Sequence, residues 1–218
     1  MDHLKEVQAY WDLRSHGFSD AINEEAESIL GQEWTDYFRE TLGESSLEIL
    51  DDGAGAGFFS ILLARLGHRV TSIDYSRGMV EKIKENLADR GLPSNALQMD
   101  AQALDFADAS FDAVVQRNVM WNLDDPAQAY REIARVLKPG GVFIIDDGNH
   151  FWRATTRNMP PRTSVSGKNG GANARRTKPS PAATMPIIRS RWIFRSLSAS
   201  PRSSPSASSG GPSGTWSS

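Results

Sequence analysis

The sequence predicts an α/β protein built on a doubly wound, mostly parallel sheet. From residue 47 onward, short and continuously apolar segments alternate with segments of helical periodicity. Strands of this kind are buried on both faces, which is typical of parallel sheets covered by helices. A glycine-rich loop follows the first strand. Because ligands bind beyond the carboxyl ends of such strands, polar residues at or just after those ends mark the expected site: Asp51, Asp74, Asp100 and Asn118.

The first part of the chain, residues 1–42, is expected to be helical. Apolar and aromatic side chains recur there at helical spacing on both sides of a polar segment at 15–17. We expect the helix to break at that segment. Ser19 or Asp20 then caps a second helix that runs to Leu42.

Five strands and three helices are expected after this region. The first helix begins at Phe58 and stops at Gly67, and the second follows Ser76. The third opens at 124–126, where a proline follows two aspartates, and ends at the glycine-containing segment 138–141. The expected strands are 47–50, 70–73, 96–99, 111–116 and 142–145.

Charge is distributed very unevenly along the chain. Residues 151–218 hold eleven Lys and Arg and no Asp or Glu, so residues 1–150 hold 13 basic and 27 acidic residues, a net charge of −14. A boundary near Phe151 is therefore expected. Eleven serines lie in 195–218, and such a segment buries too little apolar surface to form a packed core. We expect most of 155–218 to be disordered, with 187–188 and 192–194 as the places where a strand or docking patch could form.

Composition excludes several classes of function. Cysteine is absent, so disulfides, thiolate metal sites and cysteine nucleophiles are excluded. The start of the chain has no apolar secretory segment, and no apolar run approaches the roughly 20 residues that span a bilayer. We therefore expect a cytoplasmic protein that does not enter the membrane. The four histidines lack the spacing of metal ligands, and no metal site is expected.

The glycine loop at 53–57 has the features of a ligand cradle. Glycines at alternate positions let the backbone turn sharply and approach a ligand closely. The helix that begins near Phe58 directs its free N–H groups toward that ligand. Asp74 ends the second strand, 21 positions after Gly53, where its carboxylate can accept hydrogen bonds from two ribose hydroxyls. Loop and acid together favour a ribose-containing ligand.

A dinucleotide-binding oxidoreductase shares the loop and the acid and is the first alternative. Its fingerprint spaces the glycines as G-x-G-x-x-G, whereas this chain has G-x-G-x-G at 53–57. Asp51 stands just before the loop, where a carboxylate repels a pyrophosphate and suits a cationic amino-acid group. The residues therefore favour a cofactor with a positively charged end over NAD.

At this point the sequence resembles a known family, the class I S-adenosylmethionine-dependent methyltransferases, and in particular their type 11 group of small-molecule enzymes. Five ordered motifs and a lid-like segment at 10–18 carry the resemblance, which spans about residues 7–150. The motifs are LEILDDGAGAGFF at 47–59, VTSIDYS at 70–76, QMDAQAL at 98–104, FDAVVQRNVMWNL at 111–123 and VLKPGGVFII at 136–145. The resemblance implies S-adenosylmethionine as cofactor and a small-molecule methyl acceptor.

The resemblance also implies a role for each residue of the expected cofactor site. Asp51 and the loop residues face the methionine part, Asp74 binds the ribose hydroxyls, and Arg117 and Asn118 approach the sulfonium from the backbone side. Tyr75 and Met79 flank the adenine, although Met79 is equally expected in the core, and Asp100 and Ala101 meet the adenine's polar edge. The full set is Asp51, Gly53, Ala54, Gly55, Gly57, Asp74, Tyr75, Met79, Asp100, Ala101, Arg117 and Asn118.

No catalytic residue is assigned from the sequence. A sulfonium already activates its methyl group, so the protein mainly has to align the reactants. Tyr10, His16 and Trp121 lie in segments that, by resemblance, close over the site, and His16 is interpreted as a polar lid residue rather than a general base. The acidic pair at 146–147 is interpreted as a strand-end cluster near the substrate entrance, with binding of a cationic or metal-bound substrate as its alternative.

The chain departs from the family after about Arg153. Members of the family continue with two more strands, whereas here the sequence becomes rich in Ser, Pro and Arg. We therefore expect a sheet without the normal C-terminal strand pair, and a division into a helical lid (1–42), a Rossmann-like domain (43–153) and a basic tail (154–218). A shifted reading frame or truncation is one explanation of the tail.

Two further alternatives concern what such a chain does. A basic arm for nucleic acid is disfavoured, because the tail's charges are scattered and the remainder of the chain is strongly acidic. A non-catalytic protein that binds the cofactor without turnover stays open, as do the acceptor and the oligomeric state.

Overall fold

The computed structural model describes residues 3–148 and the backbone of 189–195. In chain order its helices are α1 (His3–Ala26), α2 (Ile29–Leu42), α3 (Phe58–Arg65), α4 (Arg77–Ala88) and α5 (Pro126–Val136). Its strands are β1 (Glu48–Asp52), β2 (Arg69–Asp74), β3 (Asn95–Gln98), β4 (Phe111–Arg117), β5 (Leu137–Gly148) and β6 (Arg189–Arg195). A short 3₁₀ turn, Met120–Asn122, follows β4.

The strands form one twisted sheet in the order β3-β2-β1-β4-β5-β6. The first five are parallel, and β6 runs antiparallel to β5. The chain moves outward from β1 through β2 to β3 and then returns to β4 on the other side of β1, so the order reverses between β1 and β4. The expected doubly wound fold is confirmed, and its switch point lies where ligands bind in such sheets.

Apolar side chains cover both faces of the sheet, which is why its strands are continuously apolar. One cluster joins α1–α4 to one face of the sheet, and its largest members include Trp34, Phe38 and Phe59. The other joins α5 to the opposite face through Ile133, Val136 and their neighbours. Helices therefore cover the central strands on both faces, as expected for a parallel sheet with helical crossovers.

The N-terminal helices differ from the expectation. No break occurs at 15–17, since α1 runs without interruption to Ala26. Ser15 donates its hydroxyl to the carbonyl of Asp12 one turn earlier, at 2.9 Å, so that it stays within the helix. The chain turns at 27–28 instead, and Ser28, not Ser19 or Asp20, caps α2 by accepting from the backbone N–H of Leu30 at 3.2 Å.

The last parallel strand also begins earlier than expected. The segment 138–141 was expected to end a helix, but α5 ends at Val136 and β5 starts at Leu137. Gly140 has a φ of +81°, and the register between β4 and β5 shifts near this segment. The local glycines therefore make an irregularity inside the strand rather than a separate turn.

At the other end of the described chain, 192–194 forms a strand, which was one of the two possibilities for this segment, and β6 pairs with β5 over seven residues. The expected boundary near Phe151, the segment 187–188 and most of the basic tail lie outside the described residues. Among the described helices, none is both long enough and apolar enough to cross a membrane.

Candidate functional site

A cavity of about 350 Å³ opens at the carboxyl ends of β1, β2 and β4. Of the twelve residues expected at the cofactor site, eleven line this cavity. The exception is Gly57, which caps α3 from a left-handed conformation with a φ of +94°. The cavity-lining members are Asp51, Gly53, Ala54, Gly55, Asp74, Tyr75, Met79, Asp100, Ala101, Arg117 and Asn118.

The glycine loop is left-handed at Gly53 and Gly55, with φ values of +67° and +57°. A Cβ atom at Gly53 would lie 2.4 Å from Cγ2 of Val119, and one at Gly55 would lie 3.0 Å from the ring of Phe18. A side chain at Gly53 would therefore clash with Val119 as well as being strained by the positive φ, whereas at Gly55 the main obstacle is the positive φ, with a tight contact to Phe18. The loop backbone forms a close cradle at one wall of the cavity.

Asp51, the residue before the last of β1, is buried on the side of α3. Its carboxylate accepts a hydrogen bond from the Ser60 hydroxyl at 2.6 Å, and that hydroxyl lies 2.7 Å from the hydroxyl of Ser72. Burial raises the pKa of Asp51 to about 7, because the charged form is poorly solvated there. A cationic group in the cavity would favour the ionised form.

Asp52 is a cavity-lining acid that the sequence reasoning missed. It is fully buried, and its carboxylate accepts from the side-chain amide of Gln116 at 3.0 Å. Burial, with the neighbouring Asp51, raises its pKa to about 7. Its second oxygen, Oδ1, and Oε1 of Gln116 have no hydrogen-bond partner within the described part of the chain. Two consecutive acids at the end of an apolar strand were the available signal.

Asp74 lies where the ribose was expected. One carboxylate oxygen accepts from the backbone N–H of Gly55 at 2.9 Å, and the other from that of Ser76 at 2.8 Å. Burial raises its pKa to about 6, which these two hydrogen bonds oppose. The carboxylate thus fixes the glycine loop and the start of α4 relative to each other, and each oxygen keeps further acceptor capacity.

The residues expected around an adenine follow Asp74 and β3 in the chain and line the same cavity. Met79 is almost fully buried and belongs to the core cluster as well as to the cavity wall. Asp100 accepts from the backbone N–H of Gln102 at 2.8 Å, so its side chain is held in an Asx turn. Tyr75 and Ala101 complete this wall.

Arg117 takes partners that the sequence did not predict. Its guanidinium donates two hydrogen bonds to Glu25 of α1, at 2.7 and 2.9 Å, and lies 4.3 Å from the ring centroid of Phe58. A carboxylate oxygen of Asp146 is 3.7 Å away. The cation is therefore committed to an ion pair that fastens α1 to the end of β4. Asn118, next in the chain, has a left-handed φ of +57°.

Helix α1 forms a whole wall of the cavity, through side chains that periodicity alone did not assign to a site: Leu4, Val7, Trp11, Phe18, Ala21, Ile22 and Glu25. Asp12 holds this helix against α4, since its Oδ1 accepts from the hydroxyl of Ser76 at 2.5 Å and the backbone N–H of Gly78 at 3.0 Å. Of the residues expected to close over the site, Trp121 lines the cavity, whereas His16 and Tyr10 are exposed outside it.

The described residues contain no group of three or more His, Asp or Glu side chains arranged to hold a metal ion. Of the acidic pair at 146–147, Asp146 is buried beside Arg117, and neither residue lines the cavity. The geometry therefore does not support the interpretation that this acidic pair lies at the substrate entrance.

In a comparison with known proteins, residues 50–145 match the family described as "Methyltransferase domain". A ubiquinone/menaquinone biosynthesis C-methyltransferase, UbiE, of Desulfotalea psychrophila is 34% identical over 119 residues, which are 53% of this chain and 48% of the relative. A malonyl-[acyl-carrier protein] O-methyltransferase of Erwinia pyrifoliae is 43% identical over 102 residues, 46% of this chain and 37% of the relative.

Among solved structures, the [4+2]-cyclase SpnF has a TM-score of 0.57 at 25% identity, over 65% of this chain and 59% of that one. The chain thus spans about half the length, or less, of the curated relatives named above. Their names also specify different reactions at the acceptor, so similarity leaves the acceptor open.

Proposed function

We propose that this protein, whose residues 50–145 match the methyltransferase domain family, binds S-adenosylmethionine and transfers its methyl group to a small-molecule acceptor. One observation carries the proposal. A glycine cradle, a buried acid before it, a second acid at the end of β2 and a third just after β3 line one cavity at the switch point of the sheet: Gly53–Gly55, Asp51, Asp74 and Asp100. This arrangement suits a ligand with a cationic amino-acid end, a ribose and a base.

The residues present fit each part of that cofactor. Gly53 and Gly55 carry no Cβ, so Val119 and Phe18 pack directly against the loop. In our proposal the loop backbone, which turns through positive φ at both glycines, lies against the ligand. In our proposal Asp51 accepts from the ammonium group of the methionine part, Asp74 from the ribose hydroxyls and Asp100 from the adenine amino group. Charge-assisted hydrogen bonds of this kind contribute roughly 1.5–3 kcal/mol each.

The pKa of Asp51 supports this assignment over a dinucleotide. With a pKa of about 7, Asp51 is half-ionised near neutral pH, and a neighbouring cation would stabilise the carboxylate. A pyrophosphate would instead face Asp51 and Asp52, two buried acids with no basic side chain of the glycine loop to offset them. A dinucleotide such as NAD would therefore have no comparable favourable contact at this position.

The mechanism that we propose depends on orientation. S-adenosylmethionine supplies a methyl group bonded to a positively charged sulfur, which makes that methyl group electrophilic. The loop, Asp51 and Asp74 fix the cofactor, and α1 covers the cavity and excludes water from it. Alignment of reactants in such a site lowers the barrier by about 7–11 kcal/mol in favourable cases. The acceptor loses a proton when it gains the methyl group, and we assign no described side chain as the base that takes it; His16 lies outside the cavity.

We also propose that α1 and α2 act as a lid on the domain that starts at residue 43. The cavity wall formed by α1 and its fastenings at Asp12 and Glu25 support this division. A cytoplasmic location is proposed from the absence of cysteine, and the protein is not proposed to bind nucleic acid, because residues 1–150 are strongly acidic.

The test is a calorimetric titration of the full chain with S-adenosylmethionine, its product S-adenosylhomocysteine and NADH. We expect both adenosyl ligands to bind one site with micromolar affinity and NADH to bind at least 100-fold more weakly (roughly 3 kcal/mol). NADH binding as tight as that of the adenosyl ligands would reject the proposal. Cofactor binding without methyl transfer to any acceptor would favour the non-catalytic alternative.

A further inference from the structure

We propose that one end of the cavity, here called the aromatic end, binds an uncharged, planar and apolar methyl acceptor. The aromatic end consists of Leu4, Val7, Trp11, Trp121 and Leu123. This inference rests on the proposed function and specifies the class of acceptor, which neither the family match nor the names of the relatives fixes for this chain.

A continuous run of aromatic rings leads from the glycine loop to the surface. Phe18 lies over Gly55, where an added Cβ would come within 3.0 Å of its ring. The Trp11 ring meets Phe18 edge-on, with centroids 5.5 Å apart, and it also meets Trp121 edge-on, with centroids 6.5 Å apart. Trp121 is 39% exposed, so the run ends at the rim of the cavity. A molecule entering along this path meets ring surfaces directly beside the proposed cofactor loop.

The aspartate carboxylates of the cavity come from the strand ends, whereas the polar lining residues of the segment after β4 are the uncharged amides Asn118 and Asn122. The four carboxylates of the cavity, Asp51, Asp52, Asp74 and Asp100, stand at or just after the ends of β1, β2 and β3. The aromatic end is formed instead by the first turns of α1 and by the segment after β4. An acceptor bound there exchanges water for apolar surface, which favours an apolar molecule.

The remaining charged groups on the cavity wall neutralise each other. Arg117 is the one basic side chain among the described lining residues, and Glu25 takes two of its hydrogen bonds. An anionic acceptor would therefore need to break that pair or face the carboxylates. A cationic acceptor would have to give up its hydration among apolar side chains, because the proposed function assigns the carboxylates of Asp51, Asp74 and Asp100 to the cofactor. An uncharged acceptor meets neither cost.

The experiment uses three probes that share one ring system and differ in charge: 2-naphthol, 2-naphthalenesulfonate and (2-naphthyl)trimethylammonium. Each is titrated by calorimetry into the full chain at neutral pH, with and without saturating S-adenosylhomocysteine. We expect 2-naphthol to bind the product-loaded protein at least tenfold more tightly than either charged probe, because burying an ion without a partner is costly. Equal or tighter binding of a charged probe would overturn the inference.

Two aromatic substitutions locate the binding. Trp121→Ala is expected to weaken 2-naphthol binding about tenfold, because a large ring surface is lost, and to change the affinity for S-adenosylhomocysteine less than twofold. Tyr130→Ala is the matched control, because Tyr130 is an exposed aromatic residue, 44% accessible, that does not line the cavity. Its expected effect on both ligands is less than twofold. An unchanged 2-naphthol affinity in Trp121→Ala would overturn the inference.

The two levels of the account fail in different ways. If S-adenosylhomocysteine binds and 2-naphthol does not, the inference is wrong and the proposed function stands. If S-adenosylhomocysteine does not bind, the proposed function is wrong. If 2-naphthol then still binds in a way that depends on Trp121, the cavity has an apolar site but does not bind that cofactor. If 2-naphthol does not bind either, both the proposed function and the inference about the acceptor are wrong.

Discussion

At the scale of single residues, the adjacent acids Asp51 and Asp52 show how a strand end distributes chemistry. Successive side chains of a strand point to opposite faces of a sheet. Asp51 therefore meets Ser60 of α3, whereas Asp52 meets Gln116 of β4. Burial raises both pKa values to about 7, but only Asp51 has the partners and position that we assign to the cofactor's cationic end.

Cofactor affinity is predicted to depend on pH through Asp51. The proposed contact needs the ionised carboxylate, and the pKa of Asp51 in the ligand-free protein is about 7. The affinity for S-adenosylhomocysteine should therefore fall roughly tenfold from pH 8 to pH 6, as protonation competes with binding. Calorimetry across this range measures it. Asp51→Asn should bind more weakly at pH 8 and lose most of this dependence, and a parent chain with pH-independent affinity would contradict the role of Asp51.

Because the loop is sterically crowded, alanine substitutions at two glycines of similar conformation are predicted to have different effects. Gly53 and Gly67 both have positive φ, but only at Gly53 does an added Cβ meet a neighbour, Val119. Gly67→Ala should cost about 1 kcal/mol of unfolding free energy and leave ligand binding unchanged. Gly53→Ala should cost a further 1–3 kcal/mol or so and weaken S-adenosylhomocysteine binding at least tenfold.

Denaturant unfolding and calorimetry on the two glycine variants give both quantities. The double variant Gly53→Ala with Val119→Ala should recover part of the lost stability, since it removes the methyl groups that the new Cβ meets. Equal effects of Gly53→Ala and Gly67→Ala on binding would argue against the loop as the cradle.

The sequence predicted residues at strand ends well and residue partners poorly. Asp51, Asp74 and Asp100 were found because parallel strands bring their carboxyl ends to one edge. Arg117 was placed near a sulfonium by resemblance, yet its partner Glu25 lies 92 positions away in α1. Periodicity indicates which face of a helix is buried, but it does not indicate which buried face meets which strand end.

At the scale of elements, α1 is the component that converts an open strand edge into a cavity. It contributes one wall, and its fastenings differ along its length: Asp12 binds the start of α4, and Glu25 binds Arg117 at the end of β4. Between them Ser19 hydrogen-bonds to Asn86 of α4. The helix is thus attached to both sides of the switch point.

The attachment of α1 at Asp12 is predicted to affect cofactor binding without direct contact. Asp12→Ala removes the acceptor for Ser76 and Gly78, so the first turns of α1 should leave the cavity more readily. We expect about tenfold weaker binding of S-adenosylhomocysteine, equivalent to roughly one lost hydrogen bond of 1.5 kcal/mol. Asp12→Asn retains an acceptor oxygen and should stay within threefold of the parent. If Asp12→Asn binds S-adenosylhomocysteine more weakly than Asp12→Ala in the same titration, this explanation is contradicted.

Strands were easier to predict than helix ends. The five parallel strands were located from their apolar runs, and their observed bounds differ mainly by a few residues. The prediction of a break in α1 was wrong. Ser15, Gly17 and Ser19 are tolerated inside this helix because its buried face packs on α4. The start of β5 was missed because the glycines at 140–141 have the pattern of a turn, although pairing with β4 continues past them.

At the scale of the whole molecule, stability and function conflict at the buried acids. An Asp whose pKa is raised on folding binds more protons in the native state than in the unfolded one. Its contribution to stability is therefore full below about pH 4 and is lost as the pH rises through the folded-state value. For Asp52 that window runs from the ordinary 3.8 to about 7.

Replacement of Asp52 is predicted to stabilise the ligand-free protein at higher pH. Asp52→Asn keeps an acceptor for Gln116 but has no charge, so its unfolding free energy relative to the parent should rise by roughly 2–4 kcal/mol between pH 4 and pH 8. Denaturant unfolding at several pH values measures the difference. The exposed control Asp105→Asn should show no such rise, and a pH-independent difference for Asp52→Asn would contradict an acid with a raised pKa.

The uneven charge of the chain supports a hypothesis about its origin. Residues after about 153 lack acids entirely, and a frameshift in the source gene would produce such a segment. Sequencing the source gene tests this. A single-base change should restore an acidic sequence with strand and helix periodicity, and failure of every single-base change to do so would reject the hypothesis.

The central claim is that this cavity binds S-adenosylmethionine at the glycine loop. The most direct test is a crystal structure of the full chain with S-adenosylhomocysteine. The account predicts the amino-acid end of the ligand at Asp51, its ribose hydroxyls at Asp74 and its adenine beside Asp100. A ligand bound elsewhere, or bound in the opposite direction with its adenine at Asp51, would contradict the account.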